Sequence, residues 1–192
     1  DSFPVGKVDF LNINPLSYEE FLMALGKGEM VNMLHSHDWI AINSFAGRYI
    51  EMLRQYYYVG GMPEAVMTFV EKKDYQAVRK VQQSLLKSYA HDFSKHPPKD
   101  IVKRMTMLWN TIPVQLAKEN KKFVYGVGRE GARAREYEDA LLWLRDSGLI
   151  RRVGLVSGGR LPLKSYEDLK AFKIYHLDIG LFRCMCEIDP LV

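Results

Sequence analysis

A chain of 192 residues that is 47% hydrophobic and 12% aromatic holds enough apolar material for a sizeable core, which excludes a disordered or low-complexity protein. No run of about 20 apolar residues is present, and the start DSFPVGKVDF lacks a basic-then-apolar leader, so neither a membrane span nor a signal peptide is predicted. The formal net charge of +4 is uneven: residues 121–173 carry twelve Lys/Arg against seven Asp/Glu, a weak pointer to nucleic acid or another acidic partner. Cys184 and Cys186 stand one residue apart, a poor spacing for a disulfide and half of a metal site, which fits a reduced, cytoplasmic setting.

In chain order, Lys7–Leu11 alternates as a strand does. Ser17-Tyr-Glu-Glu20 is a capping box ahead of Phe21, Leu22 and Leu25, and Gly26 and Gly28 stop that helix. Residues 29–43 are ambiguous. Ser44 is predicted to cap a second helix running through Tyr49, Ile50, Leu53 and Tyr57 to Gly60. Pro63 opens a third, with Val66, Phe69 and Val70 on one side. Asp74 caps a longer fourth through Val78, Val81, Leu85, Leu86 and Tyr89, ended by Pro97-Pro98. A fifth helix spans about Lys99–Trp109, and Thr111 and Pro113 start a sixth through Ala117.

The pattern then changes. Phe123-Val124-Tyr125 is short and extended, and Gly126, Gly128 and Gly131 break the chain. Arg133–Asp146 is a strong helix closed by Gly148. Leu149–Val156, the turn Ser157-Gly158-Gly159, and Arg160–Leu163 read as a hairpin. A helix followed by a glycine-tipped hairpin is the back half of a winged helix-turn-helix. A last strand, Lys173–Leu177, follows near Asp178. The expected fold class is mostly α: a helical unit over 15–118, then a winged helix over 119–172 with a short β-hairpin wing, with 99–118 available as its further helix.

Catalytic and metal chemistry find little support. His35 and His37 are two apart, with Asp38 next, so on a helix the two histidines share no face though on a strand they would; Cys184-x-Cys186 has no second pair, whereas a closed zinc site needs four ligands. No G-x-S-x-G nucleophile and no G-x-x-x-x-G-K-[ST] phosphate loop occurs. Gly126-Val-Gly128-Arg-Glu-Gly131 matches G-x-G-x-x-G, but an antiparallel hairpin follows it rather than a βαβ unit, so these glycines read as turn residues. For nucleic acid, Arg133 and Arg135 sit near the start of the recognition-type helix, and Arg151, Arg152 and Arg160 lie on the wing. Glu136, Glu138 and Asp139 follow on the same helix and would repel phosphate. A winged helix used for protein packing is the alternative.

The most informative stretch is Gly60-Gly61-Met62-Pro63-Glu64. Glycines allow close approach to the backbone, and the free N–H groups of the helix that Pro63 opens attract anions. Together with SFPVGKVDFLNINPLSYEEFL (2–22), YYYVGGMPEAV (56–66), DFSKHPPK (92–99), residues 112–150 and LPLKSYEDLKAFKIYHLDIGL (161–181), it resembles the C-terminal part of prokaryotic, archaeal-type AAA-like P-loop ATPases that carry a C-terminal domain of unknown function. The resemblance spans nearly the whole chain.

It implies that residues 1–14, with SFPVGKV at 2–8, close an ATPase core just past its sensor strand. It further implies that 15–118 is a helical lid, that 119–172 is a winged helix, and that 173–192 leads into a further domain similar in places to a restriction-nuclease fold. Gly60, Gly61, Met62 and Pro63 are similar to the Gly-x-Pro element of related signalling ATPases, whose proline region lies against bound nucleotide, so they are nucleotide contacts only in a full-length parent. Lys7 lies at the end of the core strand. ATP and Mg are cofactors of that parent. Walker A and Walker B residues would precede SFPVGKV, so no catalytic residue, metal or cofactor is expected here, and the chain as given is not expected to hydrolyse ATP. DNA or another protein is the remaining partner class, with no membrane partner.

Overall fold

The computed structural model describes residues 9, 11–93, 95, 98–117, 123–124 and 134–188, with the backbone alone at 99, 134–136, 169 and 170. Lys7, Pro97, Tyr125, Gly126, Gly128, Gly131 and Arg133 lie outside the described residues, as does the side chain of Arg135. The protein is mostly α. Its helices are α1 (Tyr18–Ala24), α2 (Gly28–Ser36), α3 (Trp39–Ser44), α4 (Ala46–Val59), α5 (Pro63–Lys72), α6 (Tyr75–Asp92), α7 (Lys99–Ala117), α8 (Ala134–Asp146) and α9 (Ile179–Met185); strands β1 (Ile150–Val156) and β2 (Glu167–His176) lie between α8 and α9.

Local chemistry sets most boundaries. Ser17 and Glu20 form the reciprocal capping box of α1. Gly26 and Gly148 adopt positive φ where α1 and α8 end. Asp38 and Asp74 accept backbone N–H groups at the starts of α3 and α6. The ambiguous residues 29–43 resolve into α2 and most of α3. Ser44 does not cap α4. It is the last residue of α3 and turns its hydroxyl back to the Ile40 carbonyl, while α4 starts after Phe45 with no side-chain cap. The two helices predicted over 99–117 are one: α7 runs through Pro113. The ring removes one backbone donor, and burial of Ile112, Trp109 and Leu108 on one stripe holds the helix together.

The wing also differs from its prediction. The return strand is Glu167–His176, not Arg160–Leu163. Residues 157–166 form a long connection that ends in a 3-10 turn at Leu163–Tyr166. The pairing is antiparallel, from Ile150 opposite His176 to Val156 opposite Glu167, with an irregularity between Gly154 and Leu155. Ser157-Gly158-Gly159 read as a tight turn because its composition is turn-like, but alternation resumes only at 167. Residues 173–176 thus belong to the wing, and α9 follows directly. Phe123 donates its N–H to Phe172, and Gln115 pairs with both backbone groups of Val124, which lays this short extended segment beside β2.

Two hydrophobic clusters form. One joins Phe21, Tyr58, Val59, Ala65, Val66, Phe69 and Val78, from α1, α4, α5 and α6. The other joins Phe93, Met105, Leu108, Trp109 and Ile112 to Tyr137, Leu141, Leu144, Ile150, Phe172 and Ile174. Thus α7 packs with α8 and the wing rather than with the first helices. Helix α6 reaches both clusters, with Val78 in the first and Leu86 and Tyr89 against the second. Helix α9 crosses back, placing Phe182 and Met185 on the second cluster while its start abuts the end of α4.

Candidate functional site

The Gly60–Pro63 turn sits where the two clusters meet. Gly60 has φ +76°, the left-handed region that favours glycine, and its N–H closes α4 on Tyr56 O at 2.7 Å. The Gly61 N–H donates to Asp178 Oδ2 at 2.6 Å, and the Gly61 carbonyl accepts from Leu16 N at 2.7 Å. The body that approaches these glycines is therefore the chain itself. A Cβ on Gly60 would collide with the Asp178 carboxylate, and one on Gly61 with the Leu16 carbonyl. From the other side Gly180 completes the contact: a Cβ there would stand 2.5 Å from Val59 O and 2.6 Å from Gly60 N.

Asp178 organises this joint. It is 4% exposed, it caps α9 through Leu181 N to Oδ1 at 2.8 Å, and the same carboxylate holds Gly61. Burial raises its pKa, and the backbone N–H groups of Gly61, Leu181 and Gly180 pull it the other way. The carbonyls just ahead of the turn are held as well. Gln82, fully buried, donates its amide to Tyr58 O at 2.8 Å and Val59 O at 3.0 Å and accepts from Arg79, whose guanidinium lies 4.5 Å from the Tyr58 ring and also donates to Ile188 O. Contacts from Leu16 ahead of α1 and from α4, α6 and α9 converge on one turn.

His176, the last residue of β2, is next to this joint. Its ring centroid lies 4.6 Å from that of Trp109, the planes tilted by 51°, and Nδ1 lies 3.2 Å from Asp178 N and 3.0 Å from Asp178 O. Burial pushes its pKa down to about 4, so the ring is neutral at pH 7.

Of the four residues expected to contact nucleotide, Gly60 and Gly61 are buried and internally bonded, Met62 is half-buried, and Pro63 is exposed. Met62 precedes the first turn of α5 with no side-chain cap. Any outside molecule therefore meets Met62 and Pro63 rather than the glycines.

The wing arginines do not make one surface. Neighbouring strand residues point to opposite faces. Arg151 is exposed and donates to Asn14, whereas Arg152 lies 4.2 Å over the Phe172 ring on the core side. Arg160 is exposed on the connection. The outer face of the wing is mixed: Val153 and Leu155 are more than half exposed, and exposed Arg151, Lys173 and Tyr175 share that face with them. On α8, Glu138, Asp139 and Asp146 are exposed around Trp143. His35 bonds Glu19 instead of His37, and no group of three or more His, Cys, Asp or Glu able to hold a metal exists among the described residues. Cys184 and Cys186 are free thiols. No described helix is long and apolar enough to cross a membrane.

The model of a domain of unknown function, DUF8612, matches residues 50–191. The chain belongs to this family. The matched region begins inside α4 and contains Gly60, Gly61, Gln82, His176, Asp178 and Gly180 of the joint, but not Leu16. Comparison with curated proteins and with solved structures gave no match. Sequence reasoning singled out the glycines but not Asp178, His176 or Gln82. Asp178 carries a readable signal, an Asp ahead of an apolar run, but nothing in the sequence ties it to a glycine 117 positions earlier.

Proposed function

We propose that this chain is the non-catalytic coupling part of a P-loop ATPase, in which nucleotide state at the start of α5 is passed to the wing through the Asp178 joint. The observation that carries the reading is the shared carboxylate: one side chain bonds Gly61, at the turn into α5, and caps α9, which is joined to β2 by Leu177 and Asp178 alone. A shift of the Gly60–Pro63 turn cannot leave α9 behind without breaking a buried, charge-assisted hydrogen bond. The resemblance to ATPase lids supplies the nucleotide. The geometry narrows its contact on this chain to Met62 and Pro63, because Gly60 and Gly61 are closed over by Asp178 and Leu16.

The reading has a direct test in the parent gene. A G-x-x-x-x-G-K-[ST] loop is expected about 100 or more codons ahead of Asp1. In the full-length protein, ATP is expected to slow amide exchange at Met62–Ala65. A gene without that loop, or exchange there indifferent to ATP, contradicts the proposal.

For the winged part, the exposed acids of α8 and the exposed Val153 and Leu155 of β1 favour a protein partner over DNA, against the basic Arg151 and Lys173 on the same face of the wing. Phosphate contacts would give binding that falls steeply between about 50 and 200 mM salt. The reading expects no duplex binding even at the lower salt, and binding there would restore the DNA alternative built on Arg151, Arg152 and Arg160.

A further inference from the structure

Two exposed faces of the winged unit carry opposite charge around an apolar centre. On α8, Asp139, Leu142, Trp143 and Asp146 follow one another at helical spacing and line a groove against Ile101 of α7. Trp143 is 40% exposed there. Asp139 and Asp146 stand about 10 Å apart along the helix axis, one on each side of the indole. Asp146 is bonded to Arg145 beside it, whereas no ion pair among the described residues engages Asp139. The outward face of the sheet is the counterpart. Arg151 and Val153 point outward along β1, with Tyr175 and Lys173 opposite them on β2. Arg151 and Lys173 are diagonal neighbours about 7 Å apart, and their long side chains span the difference. Arg151 donates to the neutral amide of Asn14, and no ion pair among the described residues engages Lys173.

Burial fixes where these faces look. Helix α8 sends Tyr137, Ala140, Leu141 and Leu144 into the second cluster, and the strands send Ile150, Phe172 and Ile174 into the same cluster. Each charged face is the outward side of its element, turned away from a core that both share, so the two meet only between molecules. We propose that the α8 groove of one copy of this chain docks on the outward sheet face of a second copy. Arg151 and Lys173 then approach Asp139 and Asp146, while Val153 and Tyr175 cover Trp143. The occupant is a second copy because both halves of the match lie on one sequence: two cations around an apolar centre, and two carboxylates around an aromatic one. The charges set orientation and partner choice, and the apolar centre adds affinity. The contact is heterologous, so every copy offers one face of each kind. The inference rests on the wing taking a protein partner and is independent of the ATPase reading.

Sedimentation velocity on the full chain tests it. Between about 1 and 300 μM at low salt the chain is expected to associate, and to associate less as salt rises. Lys173→Glu reverses the sheet face and Trp143→Glu spoils the groove, and each is expected to weaken self-association at least tenfold. Mixing the two variants is the decisive arm. The first keeps an intact groove and the second an intact sheet face, so together they are expected to regain the wild-type affinity but to stop at a dimer, because the remaining two faces repel. A chain that stays monomeric at about 300 μM, association undiminished in Lys173→Glu, or a mixture of folded variants no more associated than either alone would each overturn the proposal. Salt dependence and Lys173→Glu decide it even if Trp143→Glu does not fold. Duplex binding at low salt would instead remove the reading on which it rests, whereas a monomeric chain that binds no duplex overturns the self-association alone.

Discussion

At the residue scale the decisive feature is a crowded carboxylate. Gly60 supplies a positive φ and leaves room for Asp178, so any side chain meets both backbone strain and a collision. Gly60→Ala is expected to cost about 3 kcal/mol in chemical denaturation, against a few tenths for Gly159→Ala, whose added methyl meets open space. Equal effects would show that the joint is not tightly built. His176 adds a pH dependence. Its folded pKa of about 4 lies below the unfolded value near 6.5, so its contribution is present above about 6.5 and is lost as pH falls toward 4. The linked term is about 3 kcal/mol. Asp178 acts in the opposite sense: with its pKa raised, its contribution is present at acid pH and lost as pH rises through the folded value. Stability measured from pH 7 to 4 is therefore expected to fall less in His176→Gln than in the wild type. Parallel curves would mean that His176 is not buried neutral.

At the element scale, what sequence made legible was local and what it hid was tertiary. The capping box at Ser17, Pro63 at the start of α5, Asp74 and Gly148 each announce a helix end through chemistry within one turn, and each stands where that chemistry puts it. Pro113 misled because a proline inside a helix costs one bond, whereas burial of Trp109 and Ile112 in the turn before it stabilises far more. The wing misled because a glycine-rich segment long enough for a turn proved to be only the start of a ten-residue connection, 157–166. Gln82 was invisible as anything but a polar residue on a helix, yet it holds the last carbonyls of α4. Gln82→Leu keeps the bulk and removes the donors, leaving Tyr58 O and Val59 O unpaired. It is expected to lower stability by about 2 kcal/mol, with the midpoint of denaturation as the readout. A neutral result would mean that water replaces the amide.

For the whole molecule, the helical cluster and the winged cluster are bound by two bridging helices, α6 and α9, and by one turn shared between them. The composition and periodicity of the chain gave its mostly α character. The joint depends on a contact between residues 61 and 178, which neither composition nor periodicity carries. That contact is the physical basis for treating the chain as a coupler rather than as two tethered modules, and amide hydrogen exchange on Asp178→Ala tests it most directly. The substitution removes the carboxylate that bonds Gly61 and caps α9. The expected result is faster exchange on both sides at once: in the first turn of α5 around Glu64 and Ala65, and in α9 and its neighbouring β2 end, by a similar factor. Faster exchange confined to α9, with the start of α5 unchanged, would contradict the coupling.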